Sequence, residues 1–288
     1  RGLGDVYKRQ VHEVFSLSGI CFPSLKNLFP CVTITTIITD TGIERRDSMY
    51  QFESRVRYSE VDSERHLTLP AVMDYLQDCC TFQSEDMNIG VEYLAEQKQA
   101  WVLSSWEIKI RRYPVMGEKI CVETWPYAFK GFYGYRNFRI TNGRGEKLVL
   151  ANSVWVYMDM ERMRPMRIPE KVADAYRPEI GEELPGEWGA RKLSVPEGGT
   201  EMPPVPVAGF FIDTNHHMNN GKYILVAKES VPEDFAIGGV RAEYRRAAML
   251  GDVLYPVVAV AEEKITVVLT DGGDQIYAIV EFAAAEKN

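Results

Sequence analysis

The sequence is short of the features that mark several classes of protein. Only 5 of its 288 residues are cysteine, at positions 21, 31, 79, 80 and 121. Without a CxxC pair, they favour reduced thiols in a cytoplasmic protein over a disulfide framework. No apolar run reaches the roughly 18 residues of a membrane span. Its 33 Lys and Arg are outnumbered by 41 Asp and Glu, which argues against nucleic acid or an anionic membrane as the main partner.

Motifs of several common enzyme classes are missing as well. We find no Gly-rich phosphate loop, no Gly-x-Ser-x-Gly elbow and no HExxH helix. The composition, 45% hydrophobic and 26% charged, is that of an ordinary globular protein and excludes the disordered and fibrous classes. The length allows one large domain or two of average size.

The first 48 residues do not share the pattern of the rest. They begin with Arg1 and show no sustained period, and they lack the ordered charged start, apolar core and cleavage site of a secretory signal. Strong patterning begins just after Met49. We therefore expect Met49 to be the natural start, and residues 1–48 to be an extension outside the fold, from upstream or artefactual sequence.

From Tyr50 onward, one pattern occurs twice. A short extended stretch at 55–58 precedes a helix with one apolar face at 67–80, for which Thr68 is the expected N-cap. After a proline-rich linker at 162–208 the order restarts, with an extended stretch at 209–212 and a helix at 220–230. The predicted strands are 100–110, 119–125, 133–141 and 147–158 in the first copy and 240–245, 253–261, 264–270 and 275–283 in the second.

Polar landmarks recur at matching places in the two copies. We interpret them as an internal duplication, and predict an α+β fold in which each helix is covered by an antiparallel sheet and the two sheets pair edge to edge. The matching sets are Asp62, Glu64, His66 with Asp213, Asn215, His217, and Arg111, Arg112, Gly117, Glu118 with Arg245, Arg246, Gly251, Asp252.

The second copy carries a candidate hydrolytic set. If the stretch is extended, Asp213, Asn215 and His217 share one face, because positions two apart point the same way. An imidazole can accept a proton from water, an amide or a helix N-terminus can hold an oxyanion, and a carboxylate can orient the set or attack. The alternatives are that Asp213 and Asn219 or Asn220 are helix caps and the histidines are loop residues, or that a metal binds. Adjacent histidines pointing apart, without a second ligand cluster, disfavour the metal.

The cysteines and arginines have simpler interpretations. Cys80 falls on the apolar face of the first helix, so Cys79 and Cys80 are core residues rather than nucleophiles. The arginine pairs Arg111-Arg112 and Arg245-Arg246 suit a phosphate or an acidic partner, or are simply solvated surface.

These residues carry a resemblance to a known family. The stretch Asp213-x-Asn215-x-His217-Met218-Asn219-Asn220-x-Lys222-Tyr223 resembles the signature of the plant and bacterial acyl-acyl-carrier-protein thioesterases, which have tandem hotdog domains. The similarity extends from about residue 50 to the end. Seven further segments occur in the same order as in the family: Leu67-Thr68-Leu69-Pro70, Gln77-Asp78, Trp101-Val102-Leu103-Ser104, Tyr113-Pro114, Thr124-Trp125, Arg136-Asn137-Phe138 and Glu243-Tyr244-Arg245-Arg246.

The resemblance implies hydrolysis of fatty acyl-acyl carrier protein (acyl-ACP) without a cofactor or metal. It implies an N-terminal hotdog domain at 49–161 that shapes an acyl tunnel, and a catalytic C-terminal one at 209–288. Asp213, Asn215 and His217 take the catalytic places. Candidate tunnel residues are Met73, Leu76 and Trp106, and Arg245 and Arg246 are candidates for docking the acidic carrier protein. The chain acts as a pseudo-dimeric monomer or as a homodimer.

One departure from the family leaves the function open. The family has a Glu directly after the Tyr-Arg-Arg run, where this chain has Ala247. The chain then is a slow enzyme, uses Asp213 for the same task, or only binds acyl groups. Glu243 is a conceivable substitute, because on a strand it shares a face with Ala247. A thioesterase acting on coenzyme A esters is the other alternative.

Overall fold

The computed structural model describes residues 49–285. The predicted extension at 1–48, with Cys21 and Cys31, therefore lies outside the described residues. The first half of the described chain forms the following elements in order: β1 Tyr50–Arg55, α1 Leu69–Asp86, α2 Val91–Glu96, β2 Gln99–Ile110, β3 Lys119–Lys130, β4 Tyr133–Asn142 and β5 Lys147–Asp159.

The second half repeats this order after a connecting segment. The connection, at 160–208, contains short elements that lie against the sheet, and α4 then takes the place of α1. The elements are β6 Arg164–Pro165, α3 Glu170–Tyr176, β7 Thr200–Glu201, β8 Val205–Pro206, α4 Asn220–Lys228, β9 Ile237–Tyr244, β10 Val253–Ala261, β11 Lys264–Thr270 and β12 Ile276–Ala284.

Local chemistry explains where α1 begins. The Thr68 side chain accepts a hydrogen bond from the Ala71 N–H at 3.4 Å, and Pro70 occupies the first turn, where its missing N–H costs nothing. Cys80 packs against the apolar cluster, as predicted, and is partly buried, whereas Cys79 is fully buried within the cluster. Burial raises the pKa of both thiols, which disfavours the thiolate that a nucleophile needs.

All twelve strands belong to one sheet that contains both copies. Its order is β1-β3-β4-β5-β2-β9-β12-β11-β10-β7, with β6 on β5 and β8 on β10. At the junction, β2 pairs antiparallel with β9 from Ser105 opposite Glu243 to Lys109 opposite Gly239. The predicted edge-to-edge pairing is confirmed, and the fold is two tandem hotdog domains: an N-terminal one (β1–β5 with α1) and a C-terminal one (β8–β12 with α4).

Both faces of the sheet are covered. On one face α1 and α4 pack side by side, and a single apolar cluster joins them to strands of both domains. On the other face the connecting segment supplies Leu184, which packs on Trp125 and Leu150, and Leu193, which packs on C-terminal strands. The Trp125 indole N–H also donates to the Glu182 carbonyl at 2.8 Å.

The sequence pattern predicts two short extended stretches, one in each copy. At 55–58, Arg55 ends β1 and Arg57 is extended, but a 3₁₀ turn begins at Tyr58. At 209–212 the prediction is wrong, because Gly209–Phe211 is a 3₁₀ turn. Each turn lets the chain reverse before its helix, and three residues are too few to show a helical period. The sequence analysis also missed α2 and α3, whose six and seven residues are likewise too short.

An ion pair closes the β2–β3 loop of the N-terminal domain. Arg112 donates from both terminal nitrogens to the Glu118 carboxylate, at 3.0 and 2.8 Å, and the Val115 N–H adds a bond at 3.0 Å. The Arg112 guanidinium lowers the pKa of Glu118 to about 2. At the matching place of the C-terminal domain, Asp252 accepts from the Met249 N–H and the Tyr277 hydroxyl.

We predict that Glu118→Gln lowers the free energy of unfolding by about 1 to 2 kcal/mol at pH 7, because it removes a bidentate ion pair that is partly exposed. Since folding lowers the pKa of Glu118, its contribution is complete above the unfolded pKa and is lost as the pH falls towards 2. Urea unfolding of both proteins at pH 7 and pH 3 measures the difference, which should shrink at pH 3. A difference independent of pH would contradict the ion-pair explanation.

Candidate active site

The residues from Asp213 to His217 form a tight turn, so the predicted extended geometry is wrong. The Asp213 N–H donates to the His217 carbonyl at 3.0 Å, and the His216 N–H donates to the Asp213 carbonyl at 3.0 Å. His216 has a φ of 62°, in the left-handed region. The side chains of Asp213, Asn215 and His217 are therefore placed by a turn rather than by strand alternation.

The same turn occurs in the N-terminal domain at every equivalent position, 151 residues earlier. The Asp62 N–H donates to the His66 carbonyl at 2.9 Å, and the Arg65 N–H donates to the Asp62 carbonyl at 3.1 Å. Arg65 has a φ of 68°, matching His216. The duplication inferred from polar landmarks is thus present in the backbone hydrogen bonds.

The turn brings together two members of the predicted set. Asp213 Oδ1 lies 3.8 Å from His217 Nδ1, and the two side chains are 17% and 30% exposed. The same oxygen accepts the Asn215 N–H at 2.8 Å, which fixes the carboxylate. Asn215 itself is exposed, so its backbone but not its amide joins the pair. A fixed carboxylate beside a partly exposed imidazole can orient that imidazole for proton transfer.

The pair lies directly before α4. The Asn219 side chain caps this helix by accepting from the Gly221 N–H at 2.9 Å. Gly221 approaches α1 closely, since a Cβ added there would lie 3.7 Å from the Met73 Cβ and 3.9 Å from Asp74 Oδ1. The N-terminus of α4 carries partial positive charge, which suits a developing oxyanion.

Asp74 is an acidic residue near this helix start that the sequence analysis missed. Desolvation raises the pKa of Asp74, and the neighbouring Lys222 opposes that effect. Both residues were visible in the sequence, but only the packing of α1 against α4 places the carboxylate and the amine near each other.

Ala248, in the loop after β9, bonds to the residue that follows the turn, and Ala247 directly precedes it. The Met218 N–H donates to the Ala248 carbonyl at 2.8 Å, and the Ala248 N–H donates to the Tyr223 hydroxyl at 2.7 Å. Ala248 is buried, whereas Ala247 is exposed. Burial raises the pKa of Tyr223 to about 12, so its hydroxyl stays neutral.

Glu243 is not a substitute for a carboxylate at position 247. Its side chain is buried on the face covered by the connecting segment, where it accepts from the Leu193 N–H at 2.8 Å and from Arg245 at 3.0 Å. The next residue, Tyr244, lies on the helix face and donates to the Asn220 carbonyl at 3.0 Å. Strand alternation thus directs Glu243 away from α4.

The remaining predicted residues fall into two groups. Met73, Leu76 and Trp106 are fully buried in the apolar cluster between the helices and the sheet. Arg245 donates to the Leu193 carbonyl at 3.1 Å and to Glu243, while Arg246 is half-exposed, 3.6 Å from Asp271. Arg246 is therefore the more available of the two for an external partner.

Membrane-spanning helices and clusters of metal-ligating side chains are absent from residues 49–285. No helix in this range combines the length and the apolar character needed to cross a membrane. The same residues include no group of three or more His, Cys, Asp or Glu side chains arranged to hold a metal ion.

Comparison with solved structures supports the fold. The chain superposes with a TM-score of 0.75 on an acyl-ACP thioesterase from Bacteroides thetaiotaomicron, with 22% identity, covering 84% of this chain and 99% of that one. With the 12:0-ACP thioesterase from Umbellularia californica, the TM-score is 0.73 at 22% identity, over 83% and 98% of the two chains. The protein is thus one of the double-hotdog proteins.

Sequence comparison shows which family part of the chain is similar to. Residues 47–176 match the family model of the acyl-ACP thioesterase N-terminal domain. A chloroplastic acyl-[acyl-carrier-protein] hydrolase from Cuphea viscosissima is 26% identical over 83% of this chain and 60% of its own length. A dodecanoyl-[acyl-carrier-protein] hydrolase from Cinnamomum camphora is 27% identical over 72% and 58%. Residues 47–176 are thus similar to the N-terminal domain of the acyl-ACP thioesterases, and the chain spans about 60% of the length of the two curated relatives named here.

Proposed function

We propose that this protein hydrolyses fatty acyl-ACP to free fatty acid and carrier protein, which terminates fatty acid synthesis. The observation that carries the proposal is the Asp213–His217 pair, held by a hydrogen-bonded turn at the start of α4. The relatives named above, which are called acyl-[acyl-carrier-protein] hydrolases, supply the substrate class. A cytosolic location stays a prediction.

In this mechanism His217 is the general base. Its Nδ1 faces Asp213, which leaves Nε2 to take a proton from water as the water oxygen attacks the thioester carbon. The N-terminus of α4, or the amide of Asn215, holds the oxyanion. The C–S bond then breaks, the acid leaves, and the proton passes from His217 to the pantetheine thiolate. Water is the only co-reactant.

The N-terminal hotdog domain provides the acyl site in this proposal. Met73, Leu76 and Trp106 lie on the helix-covered face, and Met73 lies next to the start of α4. An acyl chain whose thioester is at His217 would pass between α1 and the sheet. We keep the domain boundaries at 49–161 and 209–288 as predictions.

A non-catalytic acyl-binding protein is the second candidate, and Ala247 favours it. Ala247 directly precedes Ala248, whose carbonyl accepts from the residue after the Asp213 turn, and the acidic residue on β9, Glu243, points to the other face of the sheet. Losing one member of a cooperating catalytic set commonly costs orders of magnitude in rate. The rate of thiol release from acyl-ACP distinguishes the two candidates.

We expect His217→Ala to lower the rate of thiol release from acyl-ACP by roughly 100-fold or more, because it removes the general base. His216→Asn is the matched control, since asparagine tolerates the left-handed backbone there and His216 is outside the pair. The rate of thiol release from acyl-coenzyme A of equal acyl chain length, measured in parallel, tests whether the carrier protein is the preferred thiol group of the substrate. A wild-type rate no higher than that of His217→Ala rejects the enzyme, and a clear preference for coenzyme A overturns the carrier-protein assignment.

We expect Ala247→Glu to raise the rate of thiol release by roughly tenfold or more, because it adds an exposed carboxylate one residue before Ala248, which bonds to the end of the turn. Ala247→Gln has nearly the same size without the charge and is the control. Equal rates for the alanine and glutamate proteins at saturating acyl-ACP would show that Asp213 already performs this task.

We expect Arg246→Glu to weaken the apparent affinity for acyl-ACP several-fold and to reduce its salt dependence, because the carrier protein is acidic. Lys147→Glu is the control. It makes the same charge change at an exposed position at the start of β5, in the N-terminal domain. KM for acyl-ACP at low and high salt is the measurement. If Arg246→Glu and Lys147→Glu behave alike, Arg246 has no specific docking role.

A further inference from the structure

Three polar side chains form a row across the interior of the N-terminal hotdog domain. Arg136 on β4 lies directly opposite Ser153 on β5, and Ser153 lies directly opposite Trp106 on β2. Directly opposed residues in an antiparallel sheet share a face. Trp106 packs on Phe138 in the apolar cluster, with 4.8 Å between ring centroids, so the row faces α1. We call these three residues the polar row.

Trp106 has a hydrogen-bond donor that nothing in the described chain satisfies. The side chain is 2% exposed, and its Nε1 is buried without a hydrogen-bond partner among residues 49–285. A buried N–H left unpaired costs free energy, and such groups are few in native proteins. Phenylalanine would avoid that cost, although its ring is smaller than the indole.

Arg136 adds spare donors at the other end of the row. It is 8% exposed, and its Nη1 donates to Gln83 and, at 3.0 Å, to Thr124, both uncharged. Its guanidinium stacks over Tyr176 at 5.2 Å. Among the described residues no carboxylate lies within 4.0 Å of it, and its Nε and Nη2 make no hydrogen bond. A buried guanidinium ordinarily has such partners.

Ser153 connects the two. Its hydroxyl oxygen accepts from the Trp155 indole at 2.8 Å, and the described residues offer no acceptor for its hydrogen. The row therefore places an indole N–H, a hydroxyl and guanidinium N–H groups on the helix-covered face of the sheet. The indole and the guanidinium can only donate. Their partner must be an acceptor, which a saturated hydrocarbon chain lacks.

The row extends away from the candidate active site. Trp106 lies opposite Ala242 on β9, and two residues along β9 Tyr244 bonds to the first residue of α4. From Ala242 the row crosses from β9 to β4, three strand spacings or about 14 Å. An acyl chain held at His217 and directed into the N-terminal domain would run along it.

We infer that the polar row is a subsite for an oxygen atom carried along the acyl chain, and that the protein prefers keto- or hydroxyacyl groups to saturated ones. The inference rests on the proposed function, because it takes the interior of the N-terminal domain as the acyl site. An oxygen on the chain would accept from Trp106 and Arg136, and a hydroxyl or carbonyl at the wrong carbon would not reach them.

The test is binding of free acids to the whole protein by isothermal titration calorimetry. The saturated acid that binds best is compared with its positional series of oxo and hydroxy derivatives. We expect at least one derivative to bind roughly tenfold tighter than the saturated acid. Trp106→Phe and Ser153→Ala should each remove most of that advantage, whereas Trp101→Phe, on the same strand outside the row, should keep it.

Three outcomes would overturn the inference. The first is that no derivative binds tighter than the saturated acid, and the second is that the advantage survives in both Trp106→Phe and Ser153→Ala. The third is that Trp106→Phe changes only thermal stability, as expected if the indole N–H bonds a buried water. In all three the saturated acid still binds, so the proposed function is untouched. If no acid binds and acyl-ACP is not hydrolysed, the proposed function fails as well.

Discussion

The antiparallel pairing of β2 with β9 is the constraint on which the rest of the structure depends. It joins two sheets that would each end in an exposed edge, and it removes both edges at once. Because it fixes the sheets, it also sets α1 beside α4 on one face. The contact of Gly221 with Met73 follows from this arrangement, and it places the start of α4 against the N-terminal domain. The turn that carries the Asp213–His217 pair and the start of α4, both in the C-terminal domain, therefore lie beside α1 of the N-terminal domain.

Much of this architecture could be predicted from the sequence. The apolar face of α1, its N-cap Thr68 and the limits of β10 and β11 follow from periodicity and residue type, and the structure confirms them. The duplication was visible because polar residues recur in the same order. These features are local or repeated. They therefore produce a sequence pattern that can be recognised without knowledge of the tertiary contacts.

The geometry of the candidate site could not be predicted in the same way. The turn at Asp213 depends on a left-handed backbone conformation at His216. Histidine at this position does not predict that conformation, which is uncommon for residues other than glycine. The Asp213–His217 proximity was expected from strand alternation, yet it results from hydrogen bonds within the turn. The direction of Glu243 and the approach of Asp74 to α4 depend on which face each element buries, and that is a property of the assembled sheet.

The path of the connecting segment has a consequence for how the two halves depend on each other. Residues 182–193 lie across the face of the sheet opposite the helices and cover Trp125 and Leu150 in one domain and Val268 and Ile279 in the other. The segment thus connects the two domains in sequence and also packs on the sheet of both. Cutting the chain into separate halves would uncover apolar surface on both pieces and reopen two strand edges, so neither half is a self-sufficient fragment. Each of the two repeated domains therefore depends on the other domain and on the connecting segment to cover its apolar surface and its strand edge.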